Sequence, residues 1–156
     1  MLKVEDYIRR NIMSFEVLAK LDELSLNIGF LCVEMEINNY DSEKCVSFLR
    51  QIQSHIFNIS NDIDRNEIIS INDQDIEELK NNIDFYYSSD KIFPGVNKTE
   101  LIAQDCRNIT RQCEKKLRKL YYDYIINNNS FHIINETFVY INMLDVFFFT
   151  LAKYYA

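Results

Sequence analysis

Two glycines and one proline in a chain of 156 residues supply too few turn-formers for an all-β fold, which needs them at most strand junctions. What remains is a set of long helices with few connectors. A basic excess is missing as well. Seventeen Lys and Arg against 24 Asp and Glu leave a net charge of −7, so no cation surplus exists to displace the counterions of DNA or RNA, which disfavours nucleic acid as the main partner. No basic stretch followed by an apolar one opens the chain, so no signal peptide is expected. The apolar run Val146 to Ala152 is far too short to cross a bilayer, which argues against a membrane partner. The four cysteines, Cys32, Cys45, Cys106 and Cys113, form no CxxC pair. Cys106 and Cys113 lie on a helix seam, where a free thiol acts as a small hydrophobe, and buried reduced thiols suit the cytoplasm. His55 and His132 are far apart and lack companion ligands, so no metal site is predicted. No Ser-His-Asp, Cys-His or Walker-type arrangement is present either.

What the sequence does contain is helical periodicity, enough for one domain over residues 1–156 with a real core. A first helix is predicted from Phe15 to Met35 on the seam Leu21, Leu24, Ile28, Leu31 and Met35. A second, about Ser42 to Ile63, carries Val46, Leu49, Ile52, Ile56 and Ile59. Asn72 is suited to cap a third helix reaching about Tyr87. The fourth opens at Asn97, with Glu100 completing a capping-box pattern, and stops near Asn127-Asn128-Asn129. The fifth runs from about Glu136 to Tyr155, and its further apolar residues Val146, Phe147 and Phe149 require either a central position or a second subunit. Ile28, Ile56, Ile109, Leu117 and Phe148 are expected in the core of this all-α five-helix bundle.

Beside the apolar seam of the fourth helix runs a polar one. Arg107, Arg111 and Glu114 fall at i, i+4 and i+7, on one face. Paired guanidinium groups match phosphate oxygens in geometry and charge, so the stripe is a candidate polyphosphate site. A solvated charged face or an inter-subunit ion pair would carry the same residues.

These segments, taken in order, resemble the ATP:cob(I)alamin (corrinoid) adenosyltransferases of the propanediol-utilisation type. The family shows FxLPGG, ARxxxRRAE and YLNRLSDxLFxLARY, and this chain reads KIFPGV from Lys91, CRNITRQCE from Cys106 and YINMLDVFFFTLAKY from Tyr140. LDELSLNIGF from Leu21, IQSHIFNISNDI from Ile52 and IEELKNNID from Ile76 are similar to the family's N-terminal segments. The resemblance implies a homotrimer of cobalamin adenosyltransferase-type bundles with sites between subunits, ATP with Mg as the bound nucleotide, and cob(I)alamin as the substrate that attacks the 5′-carbon of ATP as triphosphate leaves. Carried over by position, Arg107, Arg111, Glu114 and Asn142 would bind ATP. Asp22 would pair with Arg107 across the subunit interface, although for Asp22 and Glu114 an ordinary structural ion pair remains open. Lys91 and Phe93 would face the corrin.

Five departures bear on activity. The family's glycine-rich N-terminal TxTGDxGxT segment, whose backbone amides wrap the triphosphate, is not recognisable in residues 1–14, which contain no glycine. Gln112, Met143 and Val146 stand where the family has Arg, Arg and Asp, and Lys91 stands where it has a corrin-packing phenylalanine. Two readings therefore stand side by side: a divergent corrinoid adenosyltransferase, or a catalytically inactive scaffold relative acting as a trimeric binding or regulatory protein. The N-terminus discriminates them. A loop folded over the arginine stripe favours the first and a plain helix favours the second.

Overall fold

The computed structural model describes residues 3–38, 42–89, 93–127 and 132–156. Five helices make the bundle: α1 (Val4–Ile37), α2 (Glu43–Asp64), α3 (Asp73–Tyr86), α4 (Lys98–Ile126) and α5 (Asn135–Tyr155). Helix α1 lies between α2 and α4, and α5 lies between α4 and α3. Side chains close the ring between α2 and α3: Gln51 donates to Glu78 at 2.6 Å, and His55 Nε2 sits 3.4 Å from Asp75. The other ring nitrogen of His55 shares a hydrogen bond of 2.8 Å with the Tyr140 hydroxyl. His55 thereby ties α2 to both α3 and α5, a structural role that explains a histidine without metal companions.

The periodic seams meet as expected. Ile28, Ile56, Ile109, Leu117 and Phe148 are all buried, together with Cys106, Cys113, Leu120 and Tyr124 along α4. Around Phe147, which is fully buried, Phe48 and Phe148 each lie 5.4 Å away by ring centroid and Tyr86 6.4 Å. Such offset and edge contacts are the favourable ones for aromatic quadrupoles. Phe147 is thus core, whereas its neighbour Val146 is exposed.

Helix α1 is longer than its periodic seam suggested, starting at Val4 rather than Phe15. No proline or glycine interrupts the chain before Phe15, Ser14 lies inside the helix and does not cap it, and the extra turns have partners on α4. Arg9 pairs with Asp123 at 3.1 Å, and the Arg10 guanidinium lies 4.4 Å over the Tyr124 ring. Along its outer face α1 exposes Val4, Ile8, Ile12 and Phe15, then Leu26, Phe30, Val33 and Ile37. Asp22 lies in the same helical row.

Side-chain caps fix the starts of α3 and α4. Asn72 and Asp75 close a reciprocal capping box at α3. At α4 the pattern is only half realised. Asn97 accepts from Glu100 N–H, but the buried Glu100 carboxylate accepts from Gly95 N–H at 3.0 Å instead of returning to Asn97. Gly95 has φ of +98°, a conformation that L side chains rarely adopt, so this turn depends on glycine and is held by the carboxylate at the helix start. The connector leaving α2 meets the connector leaving α4 in one short parallel pairing, β1 (Glu67–Ile68) with β2 (His132–Ile133), Glu67 opposite His132 and Ile68 opposite Ile133. Asp62, nearly buried at the end of α2, accepts from the N–H groups of Ile69 and Ser70 and so turns the chain into α3.

All four thiols are free and buried. Burial pushes Cys45 up to about 11 and Cys113 up to about 12 from the ordinary 9.0, and raises Cys32 and Cys106 as well. A native pKa above the unfolded one means that the folded state holds its proton longer, so the related stability is complete below pH 9 and declines as pH rises above it. Unfolding by urea, followed by circular dichroism, should show a constant free energy from pH 7 to 8.5 and a steep fall above about pH 9.5. Thiol titration at pH 8 should find the cysteines unreactive until denaturant is added.

Candidate functional site

The polar stripe of α4 faces α5, and the two helices run antiparallel. Arg107 lies against Phe149 with its guanidinium 4.2 Å from the ring centroid. Arg111 meets Asp145, and Arg118 lies over Phe138 at 5.4 Å. This register sets Asn142 at the level of Glu114. Positions 138, 142, 145, 149 and 153 of α5 step by four, three, four and four, so they form one row. The residues matched by family position on α4 and α5 therefore belong to a single seam.

At its centre is a residue that sequence reasoning missed. Asp145 accepts from Arg107 Nε through Oδ1 at 2.9 Å and from Arg111 Nε through Oδ2 at 3.0 Å. One carboxylate thus holds both cations, which would otherwise repel at i, i+4 spacing. Asp145 stands one position before Val146, the residue occupying the family's aspartate place. Its sequence signal was chemical and not positional: a carboxylate in the apolar stretch of a helix needs a cationic partner, but no local spacing names that partner. Lys153, one turn beyond Phe149, places its ammonium 4.9 Å from the same ring centroid. Phe149 is therefore flanked by two cations, and the cluster of Arg107, Arg111, Lys153 and Asp145 carries a net charge of +2. Arg111 is half exposed, at 52%, while Arg107 and Asp145 are largely covered, at 24% and 20%.

The remaining candidates divide. Glu114 turns away from the arginine pair and accepts from both Nε and Nη2 of Arg118, at 3.3 and 3.0 Å, an i, i+4 ion pair on its own helix. Asn142 is solvent-exposed. Asp22 is exposed on α1 beside a groove lined by Ser25, Phe30, Arg50 and Gln53, and the carboxylate that meets Arg107 within the chain is Asp145. Phe93 is 84% exposed at the Gly95 turn, and Lys91 falls outside the described residues. No loop covers the stripe from the N-terminal side among the described residues, because residues 4–14 are helix.

Magnesium is ordinarily held by one or two carboxylates together with the phosphates of a bound nucleotide. Among the described residues no three carboxylate, imidazole or thiol groups converge, and both oxygens of the one carboxylate in the arginine cluster are engaged. Chemically, the seam offers guanidinium donors, an ammonium and an aromatic face to an anionic, ring-bearing ligand. No helix among the described residues is long and apolar enough to cross a membrane.

Comparison with known proteins agrees with this architecture. Two solved structures of variant PduO-type ATP:corrinoid adenosyltransferases from Lactobacillus reuteri superpose with TM-scores of 0.73 and 0.76. The first is complexed with cobalamin and ATP and the second with ATP; each is 21% identical and covers 94% of this chain, and the match spans 79% and 82% of their own chains. A comparison with curated proteins gives no significant match. The family model described as cobalamin adenosyltransferase matches residues 3–155, nearly the whole chain, and the chain belongs to that family.

Proposed function

We propose that this protein is a divergent corrinoid adenosyltransferase that binds ATP at the seam between α4 and α5 and transfers its 5′-deoxyadenosyl group to cob(I)alamin. The observation that supports this reading is the convergence of Arg107 and Arg111 on one point beside Phe149. Two guanidinium groups aimed at one centre suit a triphosphate, whose departing charge must be stabilised as the C–O bond to the 5′-carbon breaks. Packing on Phe149 holds the Arg107 guanidinium in place, so little ordering cost for that side chain falls on the binding step. Any magnesium would enter on the phosphates, whose charge it would partly neutralise. Phe93 presents an exposed apolar ring beside the Gly95 turn, suited to one face of a corrin.

The exposed row on α1 supports a homotrimer, with Asp22 among the subunit-facing residues. A helix that exposes apolar residues on its outward side near both ends, Val4 to Phe15 and Leu26 to Ile37, is poorly suited to water. Sedimentation equilibrium at micromolar concentration should give three times the chain mass; a stable monomer would refute the assembly.

One observation favours the second reading, a trimeric binding or regulatory protein without transfer. Residues 4–14 form plain helix, so beyond its first turn their amides are tied up within the helix and do not wrap a triphosphate as a glycine-rich loop would. The two readings separate in one experiment. Cob(I)alamin generated anaerobically is mixed with Mg-ATP and the protein, and formation of the cobalt–carbon bond is followed by absorbance. Turnover above the protein-free rate supports the transferase. Tight Mg-ATP binding by calorimetry with no cobalt–carbon bond formed supports the binding protein.

A further inference from the structure

The position of Asp145 carries a consequence for how the arginine pair meets its ligand. Each arginine reaches it through a single Nε bond, and each oxygen serves one arginine. A phosphate bridging the two guanidinium groups would do the same: two oxygens on one central atom, one for each cation. The carboxylate is set on α5, whose neighbouring residues Leu144, Phe147 and Phe148 are buried, so its backbone cannot retreat. Only its own side-chain torsions can free the arginines. We infer that Asp145 is an internal counter-anion, which competes with ligand phosphate for Arg107 and Arg111 and so sets the affinity of the site for polyphosphates.

This inference rests on the reading of the seam as a phosphate site, and it extends that reading to a residue that restrains binding. Ligand phosphate must displace the carboxylate or accept a site whose charge is lower by one. A weakly charged anion gains little from that exchange, whereas a triphosphate gains more than it loses. Asp145 therefore biases the site toward highly charged ligands.

The test uses inorganic tripolyphosphate and Mg-ATP, with adenosine as the uncharged control, titrated by calorimetry into wild type and Asp145→Asn. The amide keeps the shape and removes the charge; Asp145→Ser serves as the second variant, and circular dichroism checks that each is folded. Tripolyphosphate and Mg-ATP should bind about tenfold more tightly to the variants, with a steeper fall in affinity as salt is raised. Adenosine should be unaffected. Weaker or unchanged tripolyphosphate binding in both folded variants, with wild type binding measurably, would overturn the counter-anion role while leaving the nucleotide site in place. Absence of tripolyphosphate and Mg-ATP binding in wild type and both variants would overturn both. Tighter tripolyphosphate binding in a protein that forms no cobalt–carbon bond would support the counter-anion and remove only the transferase reading.

Discussion

Replacing Arg107 by alanine should lower the affinity for Mg-ATP about a hundredfold, and replacing Arg111 about tenfold. Both would lose a charge-assisted contact worth roughly 1.5 to 3 kcal/mol. Arg107 has the larger expected effect because it is the more covered of the two and is stacked on Phe149. Arg111 is half exposed and has Asp145 as its only ion-pair partner among the described residues, so water compensates more of its removal. Calorimetry on the folded variants checks the order. If Arg111→Ala left tight Mg-ATP binding unchanged, the stripe would be structural and the site would lie elsewhere. The double variant Arg111→Ala with Asp145→Asn adds a coupling test: for groups that share a partner, the two effects should not sum.

A second large effect is expected in the core. Phe147→Ala should destabilise the fold by about 3 to 5 kcal/mol, since it removes a fully buried ring and leaves a cavity among Phe48, Tyr86 and Phe148. For a domain of this size that corresponds to a fall in melting temperature of roughly 10 °C or more. Val146→Ala, one residue earlier and exposed, should change thermal stability by less than about 0.5 kcal/mol. Parallel melts followed by circular dichroism make the comparison. Equal losses for the two would mean that α5 is rotated about its axis from the orientation described.

The same pair shows how far periodicity could be read. The sequence put Val146, Phe147 and Phe149 together as apolar residues outside the main seam of α5. Packing separates them: Phe147 is fully buried, Phe149 serves as a ledge for Arg107 and Lys153, and Val146 faces out. A helix apolar on most sides has a weak moment, so its rotation is set by neighbours rather than by its own pattern. The N-terminal boundary of α1 was misplaced for a related reason. Its first turns expose apolar residues outward, and their inward contacts, Arg9 to Asp123 and Arg10 over Tyr124, lie more than a hundred residues away in sequence.

Ion pairs divide along the same line. Glu114 with Arg118 follows the i, i+4 rule, and the ordinary ion pair that the sequence left open for Glu114 is the one the fold makes. Asp145 was not legible from local spacing, because its partners are 34 and 38 residues away. Glu100 looked like the closing member of a capping box until the Gly95 turn placed a free N–H nearer to it.

The sequence by itself determined the five helices, their buried seams, the caps at Asn72 and Asn97, and the placing of Arg107 and Arg111 on one face. Each of these follows from the 3.6-residue repeat or from hydrogen bonds spanning three or four residues. Only the tertiary structure decided what the arginines meet. That depends on the antiparallel register of α4 against α5, which is set by the packing of buried side chains from both helices and brings one carboxylate between two cations.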